Sequence, residues 1–155
     1  MAATRSVNST PSVAPVLYVA FELSSGQWKL ASCSARGQRA RIVSVSARDT
    51  AAVLREIARA KARFGLPENA AVFSCYEAGR DGFWLHRFLH HDGINNVIVD
   101  SSSIEVNRRL RRAKADNLDA VSLVRFLIRY CEGEATRPGP GSSTRHLRRA
   151  VWAVE

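Results

Sequence analysis

Apolar and polar positions follow two different periods along this chain, and the change from one to the other marks its elements. Leu17-Tyr-Val-Ala-Phe-Glu22 is a β-branched and aromatic run that suits a buried first strand, and Ser24-Ser-Gly26 supplies the turn after it. Trp28 to Cys33 and Arg41 to Val45, separated by the Arg36-Gly37 turn, predict two more strands, so the first three form an antiparallel meander. From Thr50 the apolar period becomes helical, with Val53, Leu54, Ile57, Ala58 and Phe64 on one side and Arg55, Arg59, Lys61 and Arg63 largely opposite. Gly65 and Pro67 end that helix. Ala70-Ala-Val-Phe-Ser-Cys75 is an apolar run of strand length, and Gly79 to His91 reads as a helix carrying Phe83, Trp84, Phe88 and Leu89. Gly93 closes it, and Val97-Ile-Val99 predicts a fifth strand. A last helix from about Asp116 to Tyr130 packs Leu118, Val121, Leu123, Val124, Leu127 and Ile128.

The order βββαβαβα predicts an α/β chain with a mixed sheet of about five strands: the three-strand meander, then two strands made parallel to a central one by crossover helices. This is the order of the ribonuclease H-like fold. Residues 1–15, rich in Ser, Thr, Ala and Pro, read as a loose leader, and 16–132 as one domain. After Glu132 the chain turns to Gly-Glu-Ala-Thr-Arg-Pro-Gly-Pro-Gly-Ser-Ser-Thr and then a short basic, helix-like piece from Arg145 to Trp152, so 133–155 reads as a tail.

Charge adds a partner class. Lys plus Arg number 23 against 14 for Asp plus Glu, a formal net charge of +9 over 155 residues. Part of that excess is concentrated in Arg108, Arg109, Arg111, Arg112 and Lys114. A merely solvated face would mix signs, so this run favours contacts to a phosphate backbone without reading bases. It lacks the Trp and Leu face of an interfacial helix, which leaves nucleic acid as the partner and excludes a membrane surface. The apolar stretch Val13 to Leu23 is interrupted by Pro15 and Glu22 and is too short to span a bilayer. Cys33, Cys75 and Cys131 are odd in number and have no CxxC spacing, which argues against both a disulfide framework and a zinc knuckle and implies a reducing cytosol.

Four acids stand where this fold gathers metal ligands. Glu22 ends the first strand, and Glu77 lies just beyond the fourth in Cys75-Tyr-Glu-Ala-Gly79. Asp116 and Asp119 open the last helix in Lys114-Ala-Asp116-Asn-Leu-Asp119-Ala. Residues three apart share a helix face, and two acids there repel unless a cation lies between them. Converging carboxylates select hard cations such as Mg²⁺ and are able to hold two of them about 3.5 to 4 Å apart. Lys114 is then placed to neutralise a scissile phosphate. The structural alternative is that the macrodipole favours acids in a first turn and Asp116 is an N-cap.

The segment from Cys75-Tyr-Glu-Ala-Gly79 through Val97-Ile-Val99 to Asp100-Ser-Ser-Ser-Ile104, followed by Lys114-Ala-Asp116-Asn-Leu-Asp119-Ala, resembles the amino-terminal, RuvC-like domain of the DEDD transposases of insertion-sequence family one-hundred-and-ten. The likeness covers about Leu17 to Tyr130. It implies a tetrad of Glu22, Glu77, Asp116 and Asp119 serving as metal ligands and catalytic acids, with Mg²⁺ or Mn²⁺ as cofactor. It also implies DNA as substrate, a structured element-encoded guide RNA as partner, a homo-oligomer, and the prokaryotic cytoplasm as location. Position 22 is Glu where the family most often has Asp, which moves the carboxylate out by one methylene. Family members continue into a second domain with a nucleophilic serine, and this sequence stops at Glu155, so a truncated transposase is expected.

Other constellations carry less. His86 and His90 have i, i+4 spacing but no third ligand and no Glu between them, so they read as a solvated helix face. Trp28, Trp84 and Phe88 read as core. A catalytically silent DNA- or guide-RNA-binding module, in which the acids are structural, is the competing function. A sugar-kinase or actin-like ATPase is disfavoured because no glycine-rich phosphate loop follows the first strand.

Overall fold

The computed structural model describes residues 14–79, 82–100, 119–135 and 151–152. Its elements are β1 (Val16–Glu22), β2 (Gln27–Cys33), β3 (Arg41–Ser46), α1 (Thr50–Arg63), β4 (Ala71–Glu77), α2 (Trp84–His91), β5 (Asn95–Val99), α3 (Ala120–Ala135) and β6 (Val151–Trp152). The strands form one sheet in the order β3-β2-β1-β4-β5-β6. β1, β2 and β3 pair antiparallel, and β1, β4 and β5 pair parallel. The α/β order and the meander-plus-crossover topology agree with the expectation and are compatible with a ribonuclease H-like fold.

Strand alternation sorts the core into two layers. Leu17, Val19 and Phe21 of β1 join Trp28, Leu30, Val53, Ile57, Tyr76, Leu85 and Leu89 on the face covered by α1 and α2. The residues between them face the other way. There Ala20, Ala31, Cys33 and Cys75 form a shallow floor that receives Leu123, Val124, Phe126 and Leu127 of α3. Small side chains on the sheet let the helix approach closely enough for its large ones to be fully buried, at about 1.5–3 kcal/mol for each large apolar side chain removed from water.

Local chemistry explains the helix ends. Asp49 caps α1 by accepting the Ala52 N–H at 3.0 Å. Past its other end the Gly65 N–H donates to the Ala62 carbonyl and the Leu66 N–H to Lys61, and α2 ends in the same double bond from Gly93 and Ile94. Both glycines have positive φ, +67° and +79°, which this closure requires. Arg41 reaches Glu56 at 2.8 Å and so fastens the edge strand β3 to α1, and this bond holds the Glu56 carboxyl below the usual carboxylate range.

Three boundaries differ from those read in the sequence. α2 begins at Trp84 rather than Gly79. Gly82, with φ +55°, breaks the helical path, and the Tyr76 hydroxyl pins the break by donating to the Gly82 carbonyl at 2.7 Å. α3 begins at Ala120 and continues past Tyr130 to Ala135. Finally, the end of the segment read as helix-like is a strand: Val151 and Trp152 pair antiparallel with Val99 and Ile98 and extend the sheet. A β-branched and aromatic pair beside an open strand edge satisfies that edge's backbone groups, which outweighs the helical pattern of the basic residues before it.

Candidate active site

Parallel pairing of β1 with β4 does most of the work of assembling the acids. Phe21 is in register with Tyr76, so Glu22 and Glu77 are the next residues of two adjacent strands and end both. Neighbouring strands lie about 4.8 Å apart. Phe21 and Tyr76 face the α1 and α2 layer, which places the two glutamates on the face that α3 covers. Both are half-buried. The sequence placed Glu77 just beyond the strand, and the ladder shows it as the last strand residue.

Asp119 arrives on α3. The Cys75 thiol donates to the Leu123 carbonyl at 3.5 Å, seating the first turn of α3 over β4 two residues before Glu77. Burial pushes the Cys75 thiol far up from its ordinary value, so it is a proton-bearing donor. Asp119 precedes that turn and is exposed; its Oδ1 accepts the Ser122 N–H at 2.7 Å and its carbonyl accepts the Leu123 N–H. It is thus the N-cap of α3, a role the sequence reading gave to Asp116. A carboxylate capped in this way retains a second oxygen for another partner.

The carboxyl edge of the sheet therefore holds Glu22 and Glu77 side by side, with Asp119 on the helix above. Asp116 and the basic run Arg108, Arg109, Arg111, Arg112 and Lys114 lie outside the described residues. Among the described residues no three His, Cys, Asp or Glu side chains form a group able to hold a metal ion.

Two residues at this edge escaped the sequence reading. Lys29 is directly opposite Glu22 in the β1–β2 ladder, on the same face, where opposite charges across a strand pair stabilise each other. The two-strand register set by the Ser24-Ser-Gly26 turn carried that signal. Asp100 follows β5, whose last residue Val99 is in register with Glu77, and so adds a carboxylate to the same edge. Its signal was its place after a parallel strand.

The cap and the charge of Asp119 are separable by mutation. Asparagine caps as well as aspartate, so Asp119→Asn is expected to leave stability within a few tenths of a kcal/mol while removing the negative charge, whereas Asp119→Ala is expected to cost about 1 kcal/mol. Urea denaturation of the two variants measures the difference, and equal losses would show that the cap contributes nothing.

The histidine pair is placed differently from the solvated face expected of it. His86 is only 8% exposed, and its Nδ1 lies 2.9 Å from the Asn96 side-chain amide; Asn96 in turn accepts a 2.7 Å bond from the buried Ser74 hydroxyl. His90 remains exposed, stacked on His86 at 5.9 Å. Burial first, then the charges of His90 and Arg87, hold the His86 imidazole below the ordinary histidine value. Trp28 is fully buried and packs against Trp84 with ring centroids 5.9 Å apart and planes tilted by 33°, and Phe88 packs on the same cluster, as expected of core residues. All three cysteines are free thiols. Among the described residues no helix is long and apolar enough to cross a membrane.

No protein-family model matches the chain. Over 123 residues, 76% of its length, the chain is 40% identical to a protein of Sinorhizobium fredii (strain NBRC 101917 / NGR234) named "Putative transposase y4rJ". The chain spans 31% of that relative's length, so the likeness joins it to one portion of a bacterial transposase-like protein.

Proposed function

We propose that this chain is the ribonuclease H-like, DEDD-type amino-terminal domain of a transposase, acting on DNA by Mg²⁺-dependent phosphodiester chemistry. The observation that carries the reading is the β1–β4 parallel pair, which ends in Glu22 and Glu77 on the face covered by α3, with Asp119 at that helix's first turn. The name of the similar bacterial protein supports the same class. In this reading a structured guide RNA selects the DNA, and the domain works as a homo-oligomer.

The donors at the edge are carboxylate oxygens throughout, the hard set that suits Mg²⁺ rather than zinc or copper. Glu22 and Glu77 would hold the ion from the sheet, and Asp119 with Asp116 from the α3 side. Bound there, Mg²⁺ supplies charge neutralisation at a phosphodiester and activation of the attacking oxygen. Lys29 offsets part of the charge of Glu22, and Asp119 keeps α3 in place through its cap while offering its second oxygen. The basic run 108–114 would hold the DNA backbone.

A catalytically silent nucleic-acid-binding module is the second reading, favoured by the structural work Asp119 performs as a cap. Titration with Mg²⁺ or Mn²⁺, followed by the thermal midpoint, separates the two. A true carboxylate site gains RT ln(1 + [L]/Kd), about 2.7 kcal/mol at a hundredfold excess over Kd, and Glu77→Gln is expected to remove that gain. A wild-type midpoint indifferent to either ion would select the silent module.

A further inference from the structure

We propose that the cleft between α3 and the β2–β3 turn binds a single strand of nucleic acid, its backbone running along an arginine row and its bases against an apolar wall. This cleft is distinct from the acidic edge and does not need its chemistry. It encloses about 510 Å³, the size of a small-ligand pocket. Arg36 stands on one lip, Arg125 and Arg129 on the other, with Ala35 and Ala40 as the accessible apolar lining over the buried Val124 and Ile128. No Asp or Glu is among its lining residues.

The row has a direction. α3 follows its cap Asp119 beside the acidic edge, and its last turns reach the opposite end of the sheet, where Arg36 pairs with Glu132 at 3.3 Å. Ser122, Arg125 and Arg129 follow one another down the flank that faces the cleft. Four helical residues advance about 6 Å, which lies within reach of successive phosphates of one strand, spaced about 3.4 Å per nucleotide when stacked. Arg125 and Arg129 are exposed, and the Arg36–Glu132 pair has side chains 69% and 43% exposed. Such a surface pair is weak and readily gives way to a phosphate.

The apolar wall decides the kind of nucleic acid. α3 does not cover β3, whose Ile42 pairs with Ala31 on the α3 face and is 54% exposed beside Ala40. A duplex keeps its base faces stacked inside and offers a protein only backbone and groove edges. A single strand offers base faces to an apolar surface while its phosphates meet a basic groove. Net charge of the same sign on every copy disfavours a second copy of this chain in the cleft.

The test is equilibrium binding of a fluorescent single-stranded oligonucleotide to the full chain in EDTA, across a salt series. Metal-dependent chemistry is silent there, so failure of the active-site reading leaves the result untouched. Arg125→Ala/Arg129→Ala is expected to weaken binding and reduce the slope of log K against log salt by about 1.4, two single-strand phosphate contacts. Arg55→Ala/Arg63→Ala, which removes the same charge from exposed positions of α1 on the opposite layer, is expected to leave the slope unchanged. Equal effects of the two double variants, an unchanged slope in the first, preference for duplex over single strand, or displacement of the strand by an equally charged polyglutamate would each overturn the proposal.

Discussion

Glu77→Gln is expected to abolish Mg²⁺-dependent strand cleavage while leaving DNA binding intact. Glutamine keeps the shape of the side chain at the half-buried end of β4, so the ladder with β1 and β5 should survive. What it removes is one negative charge from the edge that also holds Glu22. An ion held by carboxylates contributes several kcal/mol of transition-state charge stabilisation, and each 1.36 kcal/mol is tenfold in rate. Losing a ligand of that site therefore corresponds to a fall of roughly 10² to 10⁴ in rate. Gel analysis of labelled DNA with the wild type and with Glu22→Gln alongside measures it. Cleavage undiminished in Glu77→Gln would remove the β4 acid from the site and with it the two-strand arrangement on which the proposed chemistry rests.

Replacing Asn96 with alanine is expected to destabilise the protein by about 2–6 kcal/mol, because it orphans two buried groups at about 1–3 kcal/mol each. Ser74 is fully buried and donates to Asn96, and His86 Nδ1 receives the Asn96 amide. One orientation of the Asn96 amide satisfies both neighbours, and it requires Nδ1 to be an acceptor with the ring proton on Nε2. Protonating Nδ1 sets two donors against each other. Burial first, then the charges of His90 and Arg87, depress the folded His86 value, and between it and the ordinary value of about 6.5 the unfolded chain binds the extra proton. Stability from this group is complete above about pH 6.5 and is lost as pH falls through the depressed folded value. Denaturation midpoints measured from pH 8 downward should decline in the wild type below about pH 6.5 and decline less in His86→Gln. Parallel curves for the two proteins would show that His86 does not carry the acid sensitivity.

Much of the candidate site was legible because strand-ending acids announce themselves. An apolar run closed by Glu22, and a second run leading to Glu77 and a glycine, need no long-range information beyond strand order, and the parallel crossover then makes the two ends neighbours. The α3 end was less legible. Asp119 looked like a residue inside the last helix, yet the helix starts after it, since a carboxylate that caps the Ser122 N–H stops being part of the helix it begins. Lys29 and Asp100 were invisible for another reason: each matters only through the strand it is paired with.

By itself the sequence determined the type and order of the principal elements, since a period of two or 3.6 and a glycine after a helix are properties of neighbouring residues, and it determined the basic balance. Tertiary structure decided which faces meet. It buried His86, whose helix spacing alone suggested a solvated face, by laying Asn96 of β5 against it. It turned Val151 and Trp152 into a sheet edge by offering them the open side of β5. It made one cleft of arginines 36, 125 and 129, far apart along the chain, by setting α3 on the small-residue floor of the sheet. Register and layer are agreements between distant segments, and no local pattern contains them.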